Sequence, residues 1–183
     1  MALTHYQFEA IHPFPDGNGR TGRIVNVLHL VHAGLLPSPI LCLSGYINAH
    51  RTDYYRGLRA VTESAAWESW VLYVLRAVTA TALGTAHDIR TINRLMEAAL
   101  ADIRAALGDR VPAERIRDLA FRNAYLKIGT LEREGIAQRQ TASKYLHALT
   151  REGGGPDFLR AERRGRDVYF RNHGLLEVLS REE

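Results

Sequence analysis

The chain has 183 residues, which suits one or two small domains, and its 24 basic and 20 acidic side chains give a formal charge of +4. Its single cysteine excludes an intrachain disulfide and suits a reducing compartment. The longest apolar run is interrupted by an arginine, which argues against a membrane span. The composition therefore predicts a cytoplasmic protein that is not embedded in a membrane.

Two short helices, over residues 2–11 and 21–33, are predicted to flank a glycine-rich loop. We call residues 12–23 the motif, and their sequence is His-Pro-Phe-Pro-Asp-Gly-Asn-Gly-Arg-Thr-Gly-Arg. Gly17 and Gly19 permit positive φ angles and let a ligand approach the main chain closely. Because the N–H groups at a helix start point outward and the helix dipole favours negative charge, the motif predicts an anion site.

The side chains of the motif supply the other parts of a phosphate site. Arg20 and Arg23, spaced i and i+3, share one helix face and offer two guanidiniums to a polyphosphate. Asp16 is a candidate ligand for Mg²⁺, and His12 can take a proton near pH 7. An ordinary capped loop is the alternative interpretation, which the coincidence of so many roles disfavours.

The motif resembles the Fic family signature, His-x-Phe-x-(Asp/Glu)-Gly-Asn-Gly-Arg-x-x-Arg, at every defined position. The resemblance implies transfer of AMP from ATP to a protein hydroxyl, with His12 as general base, Asp16 as Mg²⁺ ligand and Phe14 holding the loop in the core. The related Doc branch, which phosphorylates, has Lys where this chain has Gly19, so a Doc-type kinase is disfavoured. The residues implied to bind the nucleotide are Gly17, Asn18, Gly19, Arg20, Thr21, Gly22, Arg23 and Tyr55.

The resemblance begins partway through the family's domain. In the family, several helices and a β-hairpin flap that docks the target precede the motif, whereas eleven residues precede His12 here. We therefore expect weak nucleotide binding and poor AMP transfer unless a separate N-terminal piece or a partner supplies the flap. The apolar faces around Val25, Leu28, Trp67 and Trp70 should lack cover and favour association, for example as a homodimer.

The residues between the motif and Gly108 are predicted to be helical. Tyr55 matches one of two adjacent tyrosines that lie near the adenine in the family. The alternative, which stays open, is that Tyr54 and Tyr55 both pack in the core. The predicted segments are a loop and short helix over 38–50, then helices over 51–64, 66–83 and 86–107.

A second unit is predicted to start near Val111 and to form a winged helix-turn-helix. Its run from Arg139 to Leu146 resembles the winged helix that many bacterial Fic proteins carry. The predicted fold is mainly α, with a partial Fic-like bundle over 1–108 and the winged unit over 109–183. The predicted elements of this unit are helices over 112–121, 127–134 and 141–151, and strands over 158–161 and 168–170, which form the wing and the only β structure.

The winged unit suggests a second class of function. The chain would then be a non-catalytic regulatory protein that binds DNA or a protein partner through this unit, with a Fic remnant that no longer turns over. In the leading hypothesis, ATP, Mg²⁺ and a target Ser, Thr or Tyr hydroxyl are the partners. The candidate nucleic-acid contacts are Arg139, Gln140, Ser143, Lys144, Arg163, Arg164 and Arg166.

Overall fold

The computed structural model describes residues 1–180, and these are mainly helical with one small antiparallel sheet, which confirms the predicted fold class. No helix among these residues is long and apolar enough to cross a bilayer. In chain order the elements are α1 (Ala2–Ile11), α2 (Asn18–His32), α3 (Leu43–Ala49), α4 (Arg51–Ser64), α5 (Trp67–Leu107), α6 (Ala113–Arg122), β1 (Tyr125–Leu126), α7 (Ile128–Arg133), α8 (Arg139–Ala148), β2 (Arg160–Arg164), β3 (Asp167–Arg171) and α9 (His173–Leu179).

The described residues form two compact units, 1–87 and 88–180, and the division falls within α5. The prediction of separate helices over 66–83 and 86–107 is wrong, because α5 is one helix of 41 residues. Gly84 lies inside it, and a single glycine costs only about 1 kcal/mol relative to alanine, which is too little to end a helix. Residues 181–183 of the predicted second domain lie outside the described residues.

The core of the first unit is built from α2 to α5 around Trp70, which is fully buried. The Trp70 indole N–H donates to the Ala2 carbonyl at 2.9 Å, and Gly57 allows α4 to approach its ring. The expectation that Trp70 lacks cover is therefore wrong. Leu28 and Trp67 are 53% and 38% exposed, as expected for faces without full cover.

In the second unit, α7 and α8 follow each other closely along the chain, and β2 and β3 form a hairpin where the wing was predicted. The sheet order is β1-β3-β2, so the prediction that the hairpin is the only β structure is wrong. β1 pairs with β3 through Leu126 opposite Phe170, and both side chains are fully buried. A strand of two residues carries no alternating pattern that sequence could reveal.

Candidate active site

His12 ends α1 in the left-handed backbone conformation, with φ 51° and ψ 56°, and its N–H donates to the Phe8 carbonyl at 3.0 Å. A residue other than glycine rarely adopts this conformation, and such strain concentrates at functional sites. The imidazole is exposed, with Nδ1 3.4 Å from the Glu9 carbonyl oxygen. When Nδ1 carries the proton and donates it there, Nε2 is the free acceptor nitrogen.

Asn18 fixes the loop between α1 and α2. Its Oδ1 accepts from the Phe14 N–H at 2.9 Å, and its Nδ2 donates to the Phe14 carbonyl at 2.6 Å. Gly17 precedes it with φ 83°, which favours glycine, and Thr21 donates its hydroxyl to the Gly17 carbonyl at 3.1 Å. Because Asn18 is buried, these two hydrogen bonds hold the loop in one conformation and start α2 three residues earlier than predicted.

The resemblance implied that Phe14 holds the loop in the core, and this expectation is wrong. Its side chain is 47% exposed, and its ring lies 6.3 Å from that of Phe8. The loop is held by the Asn18 amide instead, which bonds the backbone of Phe14 rather than its ring.

The two motif arginines lie in different surroundings. Arg20 is exposed and its Nη2 lies 3.4 Å from the Asp16 carboxylate, which is also exposed. Arg23 is half-buried, and its Nε has no hydrogen-bond partner. Both line a groove of about 420 Å³ whose other walls are mostly apolar, so the groove offers positive charge and apolar surface together. These walls are Ile24, Val27, Leu28, Pro39, Ile40, Leu41, Cys42, Leu43 and Ser44.

Asp16 is suited to an ion that arrives with phosphates rather than to a resident metal. Within residues 1–180, no three His, Cys, Asp or Glu side chains are grouped to hold a metal. Mg²⁺ typically binds through one or two carboxylates together with phosphate oxygens and waters. A single exposed carboxylate within the motif fits that pattern.

A buried polar layer lies beneath the motif, and the part that His5 takes in it was missed from the sequence. His5 is buried, its Nε2 lies 3.0 Å from the Tyr54 hydroxyl, and its ring stacks on Trp70. Burial lowers the pKa of His5 to about 4 and raises the pKa of Tyr54. Burial also raises the pKa of Glu9, against the opposing charges of His12 and Arg23. Polar residues on a short helix gave no signal that they would face inward.

Tyr54 is a packing residue, whereas Tyr55 stays a candidate for the nucleotide pocket. The Tyr54 side chain is buried, and its ring meets that of Tyr55 edge to face at 5.2 Å. Tyr55 is 56% exposed and is not among the residues that line the groove beside the arginines.

The candidate nucleic-acid contacts are exposed, apart from the half-buried Ser143. Arg139 and Arg166 are brought together in a cavity of about 350 Å³, where Lys127 and Arg133 join them and Asp167 is the acidic lining residue. The remaining candidates do not line this cavity: Gln140, Ser143, Lys144, Arg163 and Arg164.

Two segments of the chain match models of known protein families. Residues 1–30 match the family model described as the Fic/DOC family, and residues 95–175 match the C-terminal domain of SoFic-like protein adenylyltransferases. A probable protein adenylyltransferase of Aquifex aeolicus is 53% identical over 49 residues, which are 27% of this chain and 15% of that protein. The protein adenylyltransferases Fic of Aedes aegypti and Culex quinquefasciatus are 40% identical over 62 residues, 34% of this chain and 11% of theirs.

The chain is thus similar to Fic proteins in two separate segments, the motif-bearing residues 1–30 and residues 95–175. The matched segments span 11% to 15% of the length of these curated relatives.

Proposed function

We propose that the chain carries the phosphate-binding and proton-accepting segment of a protein adenylyltransferase. The observation that carries this proposal is the loop fixed by Asn18, which sets His12 at the end of α1 and both motif arginines in the first turns of α2. A base and two cations on either side of a helix start are the parts that phosphoryl transfer requires.

In this mechanism, the main chain from Gly17 to Arg20 receives the phosphates of ATP, and Arg20 and Arg23 bind the outer two. The target Ser, Thr or Tyr hydroxyl attacks the α-phosphorus while His12 Nε2 takes its proton. The new P–O bond forms as the bond to the pyrophosphate oxygen breaks, so AMP is joined to the target. Mg²⁺ brought by the nucleotide, with Asp16 as protein ligand, would neutralise phosphate charge.

The test is transfer of label from α-labelled ATP to proteins of a cell lysate, with His12→Ala as the control. The proposal expects labelled protein bands that disappear in the variant. Because the relatives are much longer than the matched segments, the assay is run with the chain alone and with an N-terminal portion of a full-length relative added. Equal labelling with and without His12 would contradict the proposal.

The setting we propose for this activity is the cytoplasm, where ATP is abundant and the exposed Cys42 thiol stays reduced. Exposed apolar side chains on α2 and α5, including Leu28, Leu75 and Leu83, favour association through this unit, for example as a homodimer. Sedimentation of the chain over a range of concentrations tests that association.

A second candidate function, DNA binding by the winged unit, is favoured by the basic cavity between α7, α8 and the hairpin. Lys127 is held there by Asp167 at 2.7 Å and lies over the Tyr169 ring. Arg133 and Arg166 form no ion pair within the described part of the chain. The Arg133 and Arg166 guanidiniums are therefore available to bind a phosphate of a DNA duplex in this cavity, close to the exposed side of α8.

DNA binding is tested by the salt dependence of binding to duplex DNA. Arg133→Gln and Arg166→Gln should each weaken binding and reduce the slope of log K against log salt by about 1. Arg110→Gln, an exposed arginine that does not line the cavity, is the matched control. Binding that is unaffected by either cavity variant would remove this candidate.

A further inference from the structure

α1 and α2 approach closely because Gly22 has no side chain. A Cβ atom at Gly22 would lie 2.6 Å from Glu9 Oε1, which is too near, and 3.0 Å from His5 Cε1, which is a tight contact. Two polar side chains of α1 therefore face the backbone of α2 directly behind the motif. Gly22 is buried, so its place in the motif has a packing reason.

Two polar atoms at this contact are buried without hydrogen-bond partners, Glu9 Oε1 on α1 and Arg23 Nε on α2. Buried polar atoms are almost always paired, so these two need an explanation. They belong to side chains of opposite charge. The charge of Arg23 acts on the Glu9 carboxyl across the helix contact, but no ion pair joins the two side chains within residues 1–180.

Glu9 and Arg23 also meet near the phosphate loop. The point where a Cβ of Gly19 would lie is 3.2 Å from Arg23 Nη1 and 4.0 Å from Glu9 Oε1. Arg20, by contrast, has the exposed Asp16 as its counter-charge and has no buried orphan atom. The Glu9 carboxylate is therefore the acidic group that lies where it can orient the Arg23 guanidinium.

We propose that Glu9 is a positioning residue for Arg23. Its carboxylate lies against α2 and attracts the Arg23 guanidinium. This attraction keeps the guanidinium on the side of α2 where Gly19 leaves room. The guanidinium is therefore oriented toward the outer phosphates before the nucleotide binds. The inference rests on the proposed function for the phosphates, but the placement of Arg23 by Glu9 is a property of the free protein. The competing interpretation is that Glu9 only packs between the helices.

The first test is nuclear magnetic resonance of the Arg23 Nε–H group, assigned with Arg23→Lys. We expect a separate, slowly exchanging signal in the protein as it stands, because the Nε atom is buried. In Glu9→Gln, which keeps the size and removes the charge, the signal should move toward that of exposed arginines and exchange faster. Glu9→Asp should restore it in part, and Glu63→Gln, an exposed acid on α4, should leave it unchanged.

The proposal is overturned if the Arg23 signal is the same in Glu9→Gln as in the unsubstituted protein. It is also overturned if the unsubstituted protein already shows the Arg23 signal of an exposed arginine. Backbone amide signals of α1 and α2 show whether the fold survives each variant. If Glu9→Gln unfolds the unit, Glu9→Asp, with its shorter reach, carries the same comparison.

The second test compares affinities for ATP and AMP by calorimetry. Glu9→Gln should weaken ATP binding by about tenfold and leave AMP binding unchanged, since only ATP has the outer phosphates. A purely packing role would lower thermal stability without separating the two nucleotides. Failure of the unsubstituted chain to bind ATP counts against the proposed function, while the Arg23 signal still decides the role of Glu9.

Discussion

At the scale of single residues, His12 has the exposure and the free Nε2 that a proton acceptor needs. His12→Ala should lower the rate of AMP transfer by about 10²–10⁴ while nucleotide affinity stays nearly unchanged, because removal of a general base leaves the phosphate contacts in place. The measurement is transfer of label together with calorimetric binding of ATP. His32→Ala, an exposed histidine on α2, is the matched control. Turnover that survives in His12→Ala would exclude His12 as the base.

His5 is the residue whose ionisation should control the stability of the first unit. Burial holds its pKa at about 4, below the ordinary 6.5, so the unfolded chain binds the proton better between these values. The free energy of unfolding should therefore fall as the pH drops from about 6.5 to about 4, by on the order of 3 kcal/mol in all. The raised pKa of Glu9 acts in the opposite sense, since the folded state holds that proton more tightly.

Comparison with His5→Gln isolates the contribution of His5 from that of Glu9. Both tryptophans of the chain, Trp67 and Trp70, lie in residues 1–87, so their fluorescence reports unfolding of this unit. The difference in unfolding free energy between the two proteins should shrink as the pH falls from 6.5 to 4. If the unfolding free energies of the two proteins differ by the same amount at every pH, His5 does not titrate as inferred.

At the scale of elements, the junction of α1 and α2 depends on the Asn18 amide. Asn18→Asp replaces the Nδ2 donor with an oxygen that faces the Phe14 carbonyl, so one hydrogen bond is lost and two acceptors meet. We expect a loss of about 1–3 kcal/mol in unfolding free energy, measured by chemical denaturation. Asn48→Asp, at an exposed asparagine of α3, should change stability little. Equal stabilities of the two variants would show that the amide does not hold the loop.

The helices could be predicted from sequence because their apolar residues repeat at helical spacing, and the bounds of α1 and α4 were confirmed. The start of α2 was misplaced because Asn18 closes the loop through a side-chain bond that no periodicity reports. The motif itself was visible in the sequence. The burial of His5 beneath it was not, since the close approach of α1 to α2 at Gly22 is a tertiary contact that no local pattern reports.

At the scale of the whole molecule, the second unit contains its own core. Its buried residues lie between Ala99 and Val178, and the largest include Ile116, Leu146 and Phe170. A fragment of residues 88–183 should therefore fold alone and unfold cooperatively, as followed by circular dichroism. A fragment of residues 109–183 is the informative comparison, because it omits Ile103, which is fully buried in that core. Equal stability of the two fragments would show that the end of α5 adds nothing to the unit.

The motif is proposed to be a site for the outer phosphates of a nucleotide. This proposal is tested most directly by calorimetric titration of the chain with ATP and with AMP, in the presence of Mg²⁺, for the unsubstituted protein and for Arg20→Ala and Arg23→Ala. Each variant should lose about 1.5–3 kcal/mol of binding free energy for ATP and little for AMP, because both arginines are assigned to the outer phosphates. Equal losses for the two nucleotides, or ATP binding that is indifferent to both substitutions, would contradict the account.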